Sequence, residues 1–432
     1  MNPRVVVVGG GHAGVALAAL LRQGGHRGQI MVIGEEVDLP YHRPPLSKKL
    51  AERDVEQWLR PAPFYAEQGI TLRLGERVSR IDLARRRVCA TDGSLHGYDV
   101  LVLATGAAPQ PLPVPGCELG GVVTLRTLDD ARTLRKHLRQ ARRVVIIGGG
   151  YIGLEVAAAA RANGLDVTIV EREHRVLARV ASPELSDLLA SYHRERGTTI
   201  ITGAQVRRLT GGAGQVRAVV LSDGTALPSD VVVVGIGAVP RDELAMAARL
   251  ECDRGIVVDD RGRTSDPAVF AIGDVTRRPV TGIDGLIRLE SIQSATEQAR
   301  QASAVILGQE PPAAEVPWFW SDQFDLKLKI GGVVTAGQDV ICRGDTRSGP
   351  FALFHHDNGV VTAVETANAP ADFMAGKGLI ASGRPIDPGR LADAGLPLRA
   401  AIVPATTGSP RRPAMCRLTN GVTDAYRDLP AA

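Results

Sequence analysis

The sequence predicts an α/β chain built around two copies of one strand–turn–helix unit, with a smaller α+β domain after them. Two segments carry that prediction. Residues 5–14 read VVVVGGGHAG and residues 144–153 read VVIIGGGYIG. Each joins a run of β-branched residues to a Gly-rich turn and then to an Ala/Leu-rich stretch with helical character. The copies lie 139 residues apart, too far for a solenoid repeat, so they mark a duplicated domain. A chain of 432 residues has room for two or three domains.

Composition removes several classes. Residues are 44% apolar and 23% charged, the balance of a globular chain. Lys and Arg exceed Asp and Glu by 51 to 47, which is too small a surplus to predict nucleic-acid binding, and no basic stripe interleaved with aromatics supports it. No apolar run reaches the length of about 18 residues that spans a bilayer. The first strand-like run starts at Arg4, which predicts no leader peptide and a cytoplasmic protein. The cysteines at 89, 117, 252, 342 and 416 are too scattered for a disulfide or zinc framework.

In each copy the glycines match G-x-G-x-x-G: Gly9, Gly11 and Gly14, then Gly148, Gly150 and Gly153. The first permits a tight turn, the second lets a pyrophosphate approach the backbone, and the third lets helix and strand pack closely. The helix N-terminus then offers free N–H groups to the phosphates. A second strand follows each turn and ends on an acid, Glu35 and Glu171, 26 and 23 residues past the first glycine. That is near the distance of about 20 expected of a ribose-binding carboxylate. Glu171 would repel a 2′-phosphate, which favours NADH over NADPH, although Arg172 beside it could soften the preference. Two dinucleotide sites in one chain point to FAD in series with NAD, because flavin takes a hydride from nicotinamide.

Residues 98–116, YDVLVLATGAAPQPLPVPG, read as a buried strand, then Ala104-Thr105-Gly106, then a proline-rich crossing. Residues 264–275, TSDPAVFAIGDV, end a strand at Gly273-Asp274, where Asp can accept from a sugar-like hydroxyl. With these segments the sequence resembles the two-dinucleotide flavoprotein reductases of glutathione-reductase-like fold. The resemblance implies a discontinuous FAD domain, residues 1–108 and 239–316, interrupted by an NAD domain, 109–238, and followed by a C-terminal α+β domain, 317–400. Residues 401–432 read as a poorly ordered tail.

The branch of that family follows from what is missing. Disulfide reductases of this fold carry a redox cysteine pair after the first unit, and the corresponding stretch here, LPYHRPPLSKKL at 39–50, has none. Electrons must leave the flavin without a thiol relay. YHRPPLSK, RLESIQSATEQAR (288–300) and PWFWSDQFDLKLKIGG (317–332) together resemble the putidaredoxin-reductase-like family, the FAD-dependent NADH:ferredoxin reductases of oxygenase systems. The family helix usually has Asn where Ser294 stands.

That resemblance implies roles. Lys48 would sit beside the flavin N5 edge, paired across the domain boundary with Glu155, so these two are the candidate catalytic residues. Arg43 would face the FAD phosphates, Arg126 would contact FAD, and Asp274 would hold the ribityl chain. Trp318 and Trp320 would lie near the isoalloxazine. The remaining FAD candidates are His12, Ala13, Val78 and Ile292, with Ala104, Thr105, Gly106 and Gly273 from the segments above. Tyr151, Ile152, Arg179 and Gly237 complete the NAD set. No metal site is expected, and His355-His356 reads as a surface pair. The implied partner is an acidic [2Fe–2S] ferredoxin serving a cytochrome P450 or a Rieske oxygenase. The arginine pairs at 142–143, 207–208 and 277–278 are candidate docking charges on a monomeric enzyme. An NADH:rubredoxin reductase and an apoptosis-inducing-factor-like NADH-binding flavoprotein are the rival readings.

Overall fold

The computed structural model describes residues 2–50, 52, 55–335, 337–347 and 349–403. The first glycine copy opens a parallel five-stranded sheet in which Val5–Val8 is central. Ile30–Gly34 and then Ile70–Leu74 flank it on one side, and Val100–Leu103 and then Val269–Ala271 on the other. All four residues of Val5–Val8 are buried, the pattern of a parallel strand covered on both faces. The last of the five strands comes from more than 160 residues downstream of its neighbour, so this sheet is assembled from two separate stretches of chain.

The second copy repeats the plan. Arg143–Ile147 is central, between Asp166–Val170 and Val231–Val234, with Thr198–Ile201 and Val122–Val123 outermost. The chain crosses between the two sheets twice, and the crossings, Ala107–Pro109 and Ala238–Pro240, pair antiparallel as a two-stranded ribbon. On the first sheet, helix Ile292–Ile306 lies against helix His12–Gln23, with Ala295, Ala299 and Ala302 facing Ala13, Leu17 and Leu21 in one core.

The C-terminal unit is an antiparallel sheet ordered Trp318–Gln323, Leu326–Gly332, Val360–Ala367, Phe351–Asp357, Asp339–Gly344. Helix Pro370–Ser382 covers one face through Phe373 and Leu379. On the other face, Leu328, Ile330, Phe351 and Leu353 share a core with Leu154 and Leu189 of the second unit, and with Tyr41 and Leu46 of the first. Three units thus meet in one apolar core. Ala401 is still buried and Ile402 bridges Ile386, so the folded unit includes the first residues assigned to a tail; the rest of that tail, from 404, lies outside the described residues.

The histidine pair is not at the surface. His355 and His356 are 1% and 8% exposed, because both faces of their sheet are covered. His355 Nε2 meets Glu365 Oε2 at 2.9 Å. Glu365, also buried, accepts from Ser182 Oγ at 2.5 Å and Ser182 N at 3.1 Å. Ser182 in turn caps helix Pro183–Glu195. A buried carboxylate needs such donors to offset its lost hydration, and here they tie the C-terminal sheet to the second unit.

Gly148 has φ +107° and a Cβ placed there would lie 2.3 Å from the carbonyl oxygen of Gly235. Gly148→Ala is expected to cost at least about 1–3 kcal/mol, read as a lower melting temperature in calorimetry; an unchanged melting temperature would contradict this geometry.

Candidate functional site

The two glycine turns are near-copies in three dimensions. A Cβ on Gly9 (φ +121°) would lie 2.1 Å from Ala104 O, and one on Gly14 would lie 2.1 Å from Gly9 O. In the second copy the matching distances are 2.3 Å from Gly148 to Gly235 O and 2.2 Å from Gly153 to Gly148 O. A Cβ on Gly11 or Gly150, by contrast, would meet nothing within 4 Å. Helices His12–Gln23 and Tyr151–Ala162 both start without a side-chain cap. The first and third glycines are therefore required by protein contacts. At the second, open space faces uncapped N–H donors, which fits a pyrophosphate at each turn.

Both predicted ribose acids stand at the ends of their strands. Glu171 Oε2 accepts from Gly149 N at 2.6 Å and its Oε1 from Glu173 N at 2.8 Å, so the carboxylate is folded over the second turn. Arg172 is exposed and paired with Glu173 at 3.0 Å. Arg179 lies over Gly237, 3.4 Å from where its Cβ would be, and Ile152 leaves an apolar side chain 46% exposed on the first turn of the helix. Glu35 forms an ion pair with Arg241, which holds its carboxyl below the usual range. Sequence reasoning did not find Arg241. It sits just past the crossing ribbon, and its main chain is fixed by Thr105 Oγ1 donating to Arg241 O at 2.7 Å and by Arg241 N donating to Gly106 O at 2.9 Å.

A second cluster closes the first turn. Arg126 Nη2 meets Asp274 Oδ2 at 2.9 Å and lies 3.5 Å from a Cβ on Gly106. Gly273 (φ +84°) lets this loop approach Ala13, 3.1 Å from where its Cβ would be. Residues 13, 106, 126, 273 and 274, far apart in sequence, thus share one wall. Arg43 joins them, but its guanidinium donates to Glu36 Oε1 at 2.7 Å and Arg126 O at 2.6 Å. Two of its donors are committed to protein before any phosphate is considered. The Val78 side chain is in the core beneath the sheet, which leaves only its main chain for a ligand. Ile292 opens the helix capped by Ser291, whose hydroxyl accepts from Ser294 N at 3.1 Å.

His12 Nε2 lies 3.2 Å from His42 Nδ1. Burial, with His42, Arg43 and Arg126 nearby, lowers the His12 pKa to about 3. His42 was not singled out from the sequence, although it stands inside the YHRPPLSK segment.

The centre of the site is a junction of all three units. Lys48 ends the short helix Pro45–Lys48 of the first unit, and its ammonium forms an ion pair with Glu155 on the first helix of the second. Ser47 Oγ donates to Glu155 Oε2 at 2.5 Å, and Ser321 Oγ of the C-terminal sheet donates to Oε1 at 2.6 Å. Glu155 is buried, and these three donors offset its desolvation. Lys48 Nζ also lies 3.4 Å from Trp320 O and 5.7 Å from the Trp320 ring centroid, within cation–π reach.

Strand alternation explains the placement. Ser321 and Gln323 face the second unit along with Phe319, which packs edge-on against Tyr151 at 4.9 Å. Trp318 and Trp320 point the other way, 6.1 Å apart, and Trp318 packs on Phe373. Trp320 therefore belongs to the junction, while Trp318 anchors the C-terminal helix. Ser47 and Ser321 lay inside quoted motifs, yet no spacing announced that they converge. Of the candidate docking arginines, Arg278 is buried against Glu297 at 2.7 Å, which takes its charge from the surface, while Arg277 is paired with Asp253 and stays partly exposed. Among the described residues no cluster suited to a metal is present.

Two dinucleotide cradles flanking one ion pair define a two-cofactor oxidoreductase. The chain belongs to the pyridine nucleotide-disulphide oxidoreductase family, which it matches over residues 3–302, with a reductase C-terminal domain at 318–402. Within that family it is similar to putidaredoxin reductase CamA of Pseudomonas putida, 42% identical over 94% of this chain and 98% of that protein. It is 45% identical to the probable ferredoxin reductase CtmF of Castellaniella defragrans, over 88% of this chain and 94% of that one. In three dimensions it is similar to the reductase of the covalent putidaredoxin reductase–putidaredoxin complex, with a TM-score of 0.89 and 41% identity over 93% of this chain and 99% of that one. The ferredoxin reductase for the CYP199A2 system of Rhodopseudomonas palustris gives the same TM-score at 40% identity, over 93% and 100%. The chain uses FAD and NAD(P)H.

A histidine whose folded pKa lies below its unfolded value binds fewer protons folded than unfolded, so stability rises with pH between the two. For His12 that window runs from about 3 to 6.5. FAD-free protein is expected to lose about 1.4 kcal/mol per pH unit through His12 as pH falls inside it. His12→Gln should flatten the slope of unfolding free energy against pH by about one proton; an unaltered slope would show that His12 is not held neutral.

Proposed function

We propose that this chain is an NADH-dependent flavoprotein reductase that passes electrons through FAD to a [2Fe–2S] ferredoxin serving a cytochrome P450 or a Rieske oxygenase. The observation that carries this reading is the Lys48–Glu155 pair. It sits between the two cradles, and no described cysteine pair lies beside it to relay electrons through sulfur. Bound FAD supplies the chemistry of accepting a hydride from nicotinamide and releasing the electrons singly.

The chain's own part is alignment and charge. Lys48 sets a fixed positive charge at the junction, stabilising electron density that accumulates there, and Glu155 holds Lys48 in place. Gly11 and Gly150 leave room for the pyrophosphates, and Glu171 presents its carboxylate to a ribose. That carboxylate supports NADH over NADPH, as does the engagement of Arg172 by Glu173. The paired crossings at 107–109 and 238–240 support a division near 108 and 238 into a discontinuous FAD domain and an inserted NAD domain. The antiparallel sheet from 318 onward forms the third domain.

The ferredoxin partner is supported by the names of similar proteins. One relative serves a benzene 1,2-dioxygenase system and another the CYP199A2 system. Among the described residues no helix is long and apolar enough to cross a membrane, and we place the enzyme in the cytoplasm.

Purified protein is expected to be yellow and to drive NADH-dependent reduction of [2Fe–2S] ferredoxins in a panel that also contains rubredoxins. Reduction of rubredoxins alone would overturn the partner assignment. Lys48→Met should retain FAD but slow flavin bleaching by NADH about ten-fold or more; bleaching at the parental rate would remove Lys48 from the chemistry. Glu171→Ala should narrow the ratio of kcat/KM for NADH over NADPH by about ten-fold, and an unchanged ratio would free Glu171 of that role.

A further inference from the structure

A polar thread leaves Glu155 from Oε1, the carboxylate oxygen that Lys48 also engages. Ser321 and Gln323 lie on one face of strand Trp318–Gln323 and are fully buried. Gln323 Nε2 is 3.1 Å from Ser321 Oγ, and Gln323 Oε1 is 3.0 Å from His193 Nε2 on helix Pro183–Glu195. His193 is itself fully buried, its ring against Phe324 at 5.0 Å.

The direction of every hydrogen bond in the thread is set at one end. Glu155 takes donors from Lys48, Ser47 and Ser321, and an ionised carboxylate only accepts. Ser321 therefore spends its single proton on Glu155 and must accept from Gln323. The Gln323 amide is then oriented with NH2 toward Ser321 and its carbonyl toward His193. His193 can satisfy that carbonyl only as the Nε2–H tautomer. Its Nδ1 is buried with no hydrogen-bond partner, so a second proton there would have no acceptor. Burial lowers its pKa to about 4, with the nearby Arg196 acting in the same direction; Arg196 is itself engaged by Tyr192 and Asp325.

We infer that His193, Gln323 and Ser321 are positioning residues for the Lys48–Glu155 pair: the thread holds the Ser321 hydroxyl on Glu155 and thereby fixes where the carboxylate presents Lys48. The thread leaves the second domain at His193, passes through the C-terminal sheet and returns to the second domain at Glu155, which holds Lys48 of the first, so the seating of the C-terminal sheet is coupled to the position of the lysine. This inference rests on the hydride-transfer role proposed for that pair.

The test uses holoenzyme of the parent, Gln323→Met, Lys48→Met and the double variant, with flavin bleaching by NADH followed in a stopped flow. Met keeps the volume of Gln without its amide. Gln323→Met is expected to slow bleaching about five-fold, the equivalent of one lost hydrogen bond, with FAD content and the NADH concentration for half-saturation unchanged. In the Lys48→Met background it should add nothing. A second readout needs no turnover: 15N NMR of histidine-labelled parent holoenzyme should show His193 as the Nε2–H tautomer. Parental bleaching by Gln323→Met, beside a slow Lys48→Met, overturns the thread and leaves the reading of Lys48 intact. Parental bleaching by both overturns the reading of the pair and the inference built on it. Multiplying effects in the double variant, an Nδ1–H tautomer, or an imidazolium also overturn the inference. Should Gln323→Met fail to fold, Ser321→Ala replaces it, with recovery of the rate in Ser321→Thr as the supporting outcome and no recovery as the opposing one.

Discussion

Glu155 is a carboxylate taken out of water at the place where three folded units meet, and a charge so placed needs donors from its surroundings. Each unit supplies a residue to the bond set. The first gives Lys48 and Ser47, the third gives Ser321, and Glu155 itself stands on the first helix of the second. Removing one member of a buried pair typically costs about 3–5 kcal/mol, so the units cannot shift independently without exposing or stranding that charge. The glycine turns, the crossing ribbon and the shared apolar core all bring groups to this point. The arrangement of the whole molecule is therefore tied to one ion pair that also stands between the two cradles.

The duplication shows the same physics solved twice. In both copies a glycine with positive φ sits against a carbonyl of a neighbouring strand's end, and another glycine lets the helix rest on the turn. The middle glycine faces open space. The copies differ in what covers them. The first is closed by a loop from late in the chain, bringing Asp274 to Arg126, and the second is more open, with Ile152 and Arg179 exposed along it. One cradle enclosed and one open is the arrangement expected of one resident and one exchanging dinucleotide.

Several residues change meaning once their neighbours are known. His355 and His356 read as a surface pair in the sequence. Here a helix covers one face and a second domain the other, so both are buried. Arg277 and Arg278 read as docking charge, yet Arg278 is a buried partner of Glu297. Trp318 and Trp320 read as one aromatic pair and serve opposite ends of the same face.

The two parallel sheets, the positions of both phosphate turns and the acids at Glu35 and Glu171 follow from the sequence alone, because they depend on local requirements: β-branched runs, glycine φ angles and fixed spacing along one strand–turn–helix unit. That residues 39–50 hold no cysteine is equally legible in the sequence, though its bearing on electron transfer came only through the resemblance. The return of Val269–Ala271 to the first sheet and the pairing of Lys48 with Glu155 were reachable only through resemblance. The convergence of Ser47, Ser321, Gln323 and His193, and the pairing of Glu35 with Arg241, were decided by tertiary structure. Those contacts join residues separated by about 110 to 210 positions, and no one-dimensional period records which buried donor will be folded against which acceptor.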